Sequence, residues 1–309
     1  DLLNILLDYQ VISYNESQYN DIVSIMGEYW FNDMIEKYKQ DFYELCGYSL
    51  VKLIEFKIQS LIEFNKSEFS IGQIVTIYDS DQNLRASYEV NMVRLLRDLF
   101  FSLDLPQIKS DIERYLNHEI CIFRRIAMNY IDYKSNDLSN LIWKKETNPL
   151  EDIECKHELW SFFHNNADSF EKDQIKQAIT WIEEYDSFIP KEAEKDPVLT
   201  NETIAYKKKE WYFALLPSGL DAVKEKYAYY NEINPIKLEH PGYLIWSSGV
   251  MAVSPFKEIK SNIIELENKE LVQHLNSLQE GKEAIIGMAP EFSIRQTVQQ
   301  NPNKFVSNM

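Results

Sequence analysis

Apolar residues recur at helical spacing along most of the chain. Residues 20–64 read as two long helices. Ile35, Tyr38 and Phe42 form a stripe on the first, and Leu50, Leu53, Ile54 and Ile58 form one on the second, with Gly47 at the break. Residues 70–83 mix β-branched residues with turn formers and predict a short strand or a loop. Residues 84–103 return to a helix, with Tyr88, Met92, Leu95, Leu96, Leu99 and Leu103 on one face. From Pro106 the pattern becomes regular. Ile108, Ile112 and Leu116 make one stripe, and Ile122, Ile126, Ala127 and Tyr130 the next. Leu138, Leu141 and Ile142 begin a third, and Leu159 and Phe163 belong to a fourth. Asp168 and Glu171 suit a capping box before Ile175, Ala178, Ile179 and Ile182. Short helices joined by short polar turns predict helix pairs, each burying its apolar face only against a neighbour.

The expected fold is therefore all-α, an α-solenoid of HEAT-like helix pairs. The expected organisation is an N-terminal helical region over 1–104, HEAT-like repeats over 105–189, a linker over 190–202 and a C-terminal helical region over 203–309. Residues 186–201 hold two prolines and no long apolar stripe, which marks the linker. Residues 233–256 predict an irregular segment, because five of the 18 Gly and Pro residues fall there. Further helices are expected from Asn268 and over about residues 291–300.

Composition narrows this further. Gly and Pro are scarce, and there is no Gly from Gln73 to Ser218. A sandwich, a barrel or a Gly-rich nucleotide fold needs more of these turn formers. No run of about 18 apolar residues is present, so no membrane helix is expected. Three widely spaced cysteines, Cys46, Cys121 and Cys155, make no disulfide framework and suit a reducing, cytoplasmic setting. The chain opens on Asp1 without a Met or a signal peptide, as expected of a piece of a longer polypeptide; N-terminal trimming gives the same start.

The charge is strongly acidic, with 49 acidic and 32 basic side chains and a formal net charge of −17. The imbalance lies in the first two thirds: residues 1–100 carry 16 acids and 8 bases, 101–200 carry 20 and 12, and 201–309 carry 13 and 12. Such a surface repels phosphate backbones, so a nucleic-acid role is disfavoured. Solvated helical faces account for the acidity, and an acidic groove for a basic protein partner is the sharper alternative.

Motifs for catalysis are sparse. There is no P-loop, GxGxxG, GxSxG, HExxH or CxxC. Cys155, His157 and His164, flanked by Glu154 and Glu158, come nearest to a metal cluster, but a structural zinc site needs four closely spaced ligands. They read instead as a half-buried Cys with two surface His on a helix pair. No metal or cofactor is expected. Lys207-Lys208-Lys209 is the one basic run, suited to a solvated helix edge or to an acidic partner. Trp143, Trp160 and Trp181 fit one aromatic anchor per helix, more a core role than a binding one.

The stretch LNHEICIFRRIAMNYI, residues 116–131, resembles the second helix of a HEAT-type repeat: a polar turn, then Ile122-Phe123, Arg124-Arg125 and Ile126-Ala127. Arg here can cross to an adjoining repeat, and Ala127 permits close helix approach. The order continues through ELWSFFHNN (158–166), KKKEWYFALLPSGL (207–220), PGYLIWSSGVMAVSPF, ELVQHLNSL and VQQNPNKFV (298–306). Over residues 105–309 it resembles the C-terminal helical region of large bacterial STAND-type NTPases, the kind found in Avs-like antiphage defence. The resemblance implies a sensor solenoid that recognises a viral protein, with the nucleotide site and an effector enzyme lying N-terminal to it. The expected role is then a non-catalytic, protein-binding segment, with Arg124, Arg125, Trp160, Lys207, Lys208, Lys209 and Trp246 as candidate partner-binding residues. Two alternatives stay open: an architectural spacer, and an enzyme whose pocket gathers scattered residues.

Overall fold

The computed structural model describes residues 2–13, 20–65, 74–78, 87–185 and 197–244. They belong to one compact unit, residues 1–246; a second unit covers 247–309. The predicted helices at 268 and 291–300, residues 245–256 of the predicted irregular segment, and Trp246 lie outside the described residues.

The described residues are mostly helical, as the periodicity predicts. A short helix α1 (Leu2–Leu6) leads into an antiparallel hairpin of β1 (Tyr9–Ser13) and β2 (Asn20–Ser24), in register with Val11 opposite Ile22. This hairpin corrects the expectation of a purely helical N-terminal region. Its strands concentrate β-branched residues, Val11-Ile12 and Ile22-Val23, which pack well on a pleated surface.

Helices α2 (Glu28–Cys46) and α3 (Tyr48–Asn65) follow and break at Gly47. Gly47 adopts a φ of 47°, where a Cβ is disfavoured. The buried stripe of α2 is Phe31, Met34 and Tyr43; Tyr38, expected on it, is half exposed. Then come α4 (Tyr88–Ser102), α5 (Leu105–Tyr115) and α6 (Cys121–Tyr133). Ser87 caps α4 by accepting from the Val90 amide, and Pro106 sits in the first turn of α5, where no N–H is needed.

Two single turns, α7 (Ser135–Leu138) and α8 (Asn140–Trp143), stand where a third stripe was expected. After two 3-10 turns come α9 (Lys156–Asn166) and α10 (Lys172–Glu184). The cap of α10 is Glu171 with Gln174, three residues beyond the expected Asp168. Helix α11 (Pro197–Leu215) begins inside the expected linker, because Pro197 is its first residue and proline is favoured at a helix start. A 3-10 turn and the left-handed Gly219 lead into α12 (Asp221–Ile233), and residues 234–244 are non-helical.

Helices α4, α6, α9 and α11 touch one another in succession, while α3, α5, α10 and α12 each pack against one member of that row. Trp143 and Trp181 stack nearly parallel at 5.4 Å between ring centres, and Phe163 stacks on Trp143 at 5.8 Å. Both tryptophans are core anchors, as expected. Ion pairs join α3 to α5: Asp111 accepts from Tyr48, Lys52 and Arg114, and Glu55 accepts from Arg114 and Lys52.

Candidate functional site

The row of helices buries several charged side chains against partners of opposite charge or main-chain groups. Arg125 on α6 and Glu158 on α9 form a two-pronged ion pair at 2.9 and 3.0 Å, with side chains 5% and 0% exposed. Neither charge could remain inside without compensation. The rest comes from the main chain of residues 74–78, a non-helical, bent segment bonded to side chains of α4, α6 and α9. Arg125 Nη1 donates to the Ile74 carbonyl at 2.6 Å, and Arg97 Nη1 on α4 to the Ile77 carbonyl at 2.7 Å. Glu158 accepts from the Ile77 amide at 3.0 Å. One face of the helical row therefore holds non-helical backbone through fixed charged groups.

The same device recurs further along. Lys156 pairs with Glu210 at 2.7 Å, and the other Glu210 oxygen accepts from the Gly242 amide. Lys209 is fully buried and donates to the carbonyls of Asn234 and Ile236 at 2.5 and 2.6 Å. Residues 234–243 are thereby tied to α9 and α11. Gly242, at a φ of 85°, lies against the Trp160 ring, where an added Cβ would come within 2.7 Å of it.

These contacts place the sequence-expected binding residues. Arg125, Trp160, Lys208 and Lys209 are interior groups rather than surface ones. Trp160 donates to the Glu210 carbonyl, and Lys208 binds the Glu183 carbonyl and carboxylate. Arg124 is largely covered and spans Asp152, Glu154 and the carbonyls of His118 and Glu119. The expected crossing to a neighbouring segment is thus present, as an internal tie. Lys207 is half-buried. No shared surface gathers Arg125, Trp160, Lys208 and Lys209, because interior carbonyls and carboxylates claim them. Cys155 and His157 are both buried, against the expected half-buried Cys and surface His. Among the described residues, no group of three or more His, Cys, Asp and Glu is placed to hold a metal ion, and no helix is long and apolar enough to cross a membrane.

What the fold does build is a cleft of about 500 Å³ between α4, α6 and α9, beside the 74–78 segment. Its lining combines rings (Tyr78, Phe101, Tyr133), amides (Asn129, Asn165, Asn166) and the charged Arg97, Asp98 and Asp132. Asp132 is its polar centre. It accepts from the Tyr78 hydroxyl, from Asn165 Nδ2 at 2.8 Å and from Asn166 Nδ2 at 2.6 Å. Burial, reinforced by Asp132, pushes the Tyr78 phenol well above its ordinary pKa, so it stays a donor. Arg97 is countered by Asp98, which also accepts from Lys39 on α2. Asn129 is 2% exposed, and its Oδ1 has no hydrogen-bond partner among the described residues. Leaving such an acceptor unmet costs about 1–3 kcal/mol.

A second cavity of about 310 Å³ shares Tyr78 and Asn165 with the first and is lined further by His157, Trp160, Ser161 and Tyr243. His157 lies 4.2 Å from the Tyr243 ring centre, and its Nδ1 is also unpartnered. Burial holds its pKa below the ordinary imidazole value despite Glu158 nearby, so the ring is neutral at pH 7.

Sequence reasoning missed this cleft. One signal was available: Asn129 and Asp132, three apart, interrupt the apolar run of α6 beside Tyr133. Comparison with protein-family models, with curated proteins and with solved structures returns no match to the chain.

Proposed function

We propose that the chain is a non-catalytic, HEAT-like solenoid segment that binds a protein partner, acting as the cytoplasmic sensor region of a bacterial antiphage STAND-type NTPase. The observation that carries the binding role is the helical face that grips non-helical backbone. Arg97, Arg125 and Glu158 hold the 74–78 main chain there, next to an open cleft walled by rings and amides. Aromatic anchors with fixed polar groups are the usual basis of protein recognition. The sensor assignment rests on the order of motifs over residues 105–309. The partner on this reading is a viral protein, and binding it shifts the parent protein toward its active state through unequal affinity for two states.

Plaque counts on cells carrying the native gene test the reading. Substituting Tyr133→Ala together with Asn165→Ala, both exposed cleft positions, is expected to abolish protection against the phage that triggers the system. Lys176→Ala, in an exposed ion pair on α10, is expected to leave protection intact. Full protection with the cleft variant, or no protection from the unaltered gene, would refute the reading.

A further inference from the structure

We infer that the cleft between α4, α6 and α9 takes the guanidinium of an arginine side chain presented by the partner; this rests on the protein-binding reading. The starting point is Asn129. Asn129 lines the cleft, and its Oδ1 is buried and has no donor among the described residues. A buried acceptor left open in this way is completed by a ligand that brings an N–H or O–H.

The surroundings select the class of donor. Asp132 lies three residues further along α6 and uses three of its roughly four acceptor positions on Tyr78, Asn165 and Asn166, so it can take one more donor. The Arg97 charge is matched by Asp98 at 2.5 and 2.7 Å, and its Nη1 is committed to the Ile77 carbonyl. Asp132 therefore remains the uncompensated charge of the lining, within a chain of net charge −17. An anionic ligand would meet a carboxylate and an open acceptor, both repulsive. A cation meets two attractive groups.

The walls favour arginine over lysine. Phe101 and Tyr133 meet edge to face at 4.8 Å between ring centres, and Tyr133 is 59% exposed. A flat guanidinium can stack on such a ring while its in-plane N–H groups reach separate acceptors; an ammonium is a point charge with three donors.

The test uses the intact chain and three capped tripeptides, Gly-Arg-Gly, Gly-Lys-Gly and Gly-citrulline-Gly, titrated by saturation-transfer NMR at about 0.15 M salt to screen unspecific attraction. Citrulline keeps the shape and removes the charge. The arginine peptide is expected to saturate, with citrulline weaker by about tenfold or more and lysine between them. Tyr133→Ala, at a position 59% exposed, is expected to weaken the arginine peptide about three- to fivefold, its melting curve checking the fold. Asn129→Leu is expected to weaken it more, its melting curve serving as the check on folding; if it does not fold, Tyr133→Ala decides alone. No saturation by the arginine peptide, equal binding of citrulline, or an unchanged affinity in Tyr133→Ala would overturn the inference. If the cleft variant loses phage protection while arginine peptides fail to bind, the arginine assignment falls and the protein-binding reading stands.

Discussion

Truncating Glu158 to Ala isolates the element on which the described unit depends. The substitution removes both bonds to Arg125 and the acceptor for the Ile77 amide. Arg125 then stays inside the fold, 5% exposed, and keeps its bond to the Ile74 carbonyl but loses its counter-charge. Stranding one partner of a buried ion pair costs about 3–5 kcal/mol. The Ile77 N–H adds up to about 1–3 kcal/mol, less whatever water entering the vacated space recovers. A loss of about 4 kcal/mol follows. Arg125→Met strands the Glu158 carboxylate and costs a similar amount. The double variant Arg125→Met/Glu158→Ala removes both charges of the pair and leaves only the Ile74 carbonyl and Ile77 amide unmatched by it. It should therefore be more stable than the two single losses summed, with a coupling energy of about 3 kcal/mol. Urea unfolding followed by fluorescence of the buried tryptophans measures all four proteins, with an unchanged slope confirming that only stability has moved. Single losses below about 1 kcal/mol, or strict additivity, would show that these charges are not a buried coupled pair.

Three further outcomes follow from separate parts of the fold. Burial alone would raise the Glu183 pKa, but hydrogen bonds from Tyr230, Tyr212, Lys226 and Lys208 outweigh it and lower the value to about 2. Because the folded value lies below the unfolded one, this group's stabilisation is present above about pH 4.5 and is lost as pH falls toward 2. Glu183→Gln should therefore cost about 2 kcal/mol at pH 7 and almost nothing near pH 2, as read by urea midpoints across that range. An equal cost at both ends would contradict the assignment. Gly242→Ala drives a Cβ into the Trp160 ring at a left-handed backbone angle, so a loss of about 1–3 kcal/mol and a shifted tryptophan emission are expected; an unchanged melt would refute that contact. Cys121 and Cys155 are buried, and burial pushes the Cys155 thiol well above its ordinary pKa. A thiol reagent should modify Cys46 in the folded chain and the other two only after unfolding; rapid native labelling of Cys155 would contradict its position.

The helices were legible because their apolar spacing carries the signal. The break at Gly47, the start of α5 at Pro106 and the tryptophan anchors all follow from local pattern. The stripe of α2 was less so. Apolar residues surround that helix, at Trp30, Phe31, Met34, Ile35, Tyr38 and Phe42, and only packing against α4 and the hairpin decides which of them are covered. The hairpin was missed because strands of five residues each, Tyr9–Ser13 and Asn20–Ser24, give a weak periodic signal. The charged residues were the largest misreading. Lys208 and Lys209 look like a solvated edge in sequence, and Arg125 like a residue that contacts a partner or an adjoining repeat. Carbonyls and carboxylates distant in the chain (Ile74, Glu183, Asn234, Ile236) draw them inside. Such pairings span tens of residues and leave no local mark. The cleft stayed hidden for the same reason, since Tyr78, Asp132 and Asn165 meet only after α6 and α9 have packed.

Site-directed crosslinking addresses the binding claim without requiring the partner to be known beforehand. A photoreactive phenylalanine analogue replaces Tyr133 at the cleft rim, or Lys176 on α10 as the comparison, in the native polypeptide inside infected cells. The account predicts one viral protein crosslinked from position 133 and none from 176, with the attachment mapping beside an arginine of that protein. No crosslink at 133, or the same products from both positions, would contradict it.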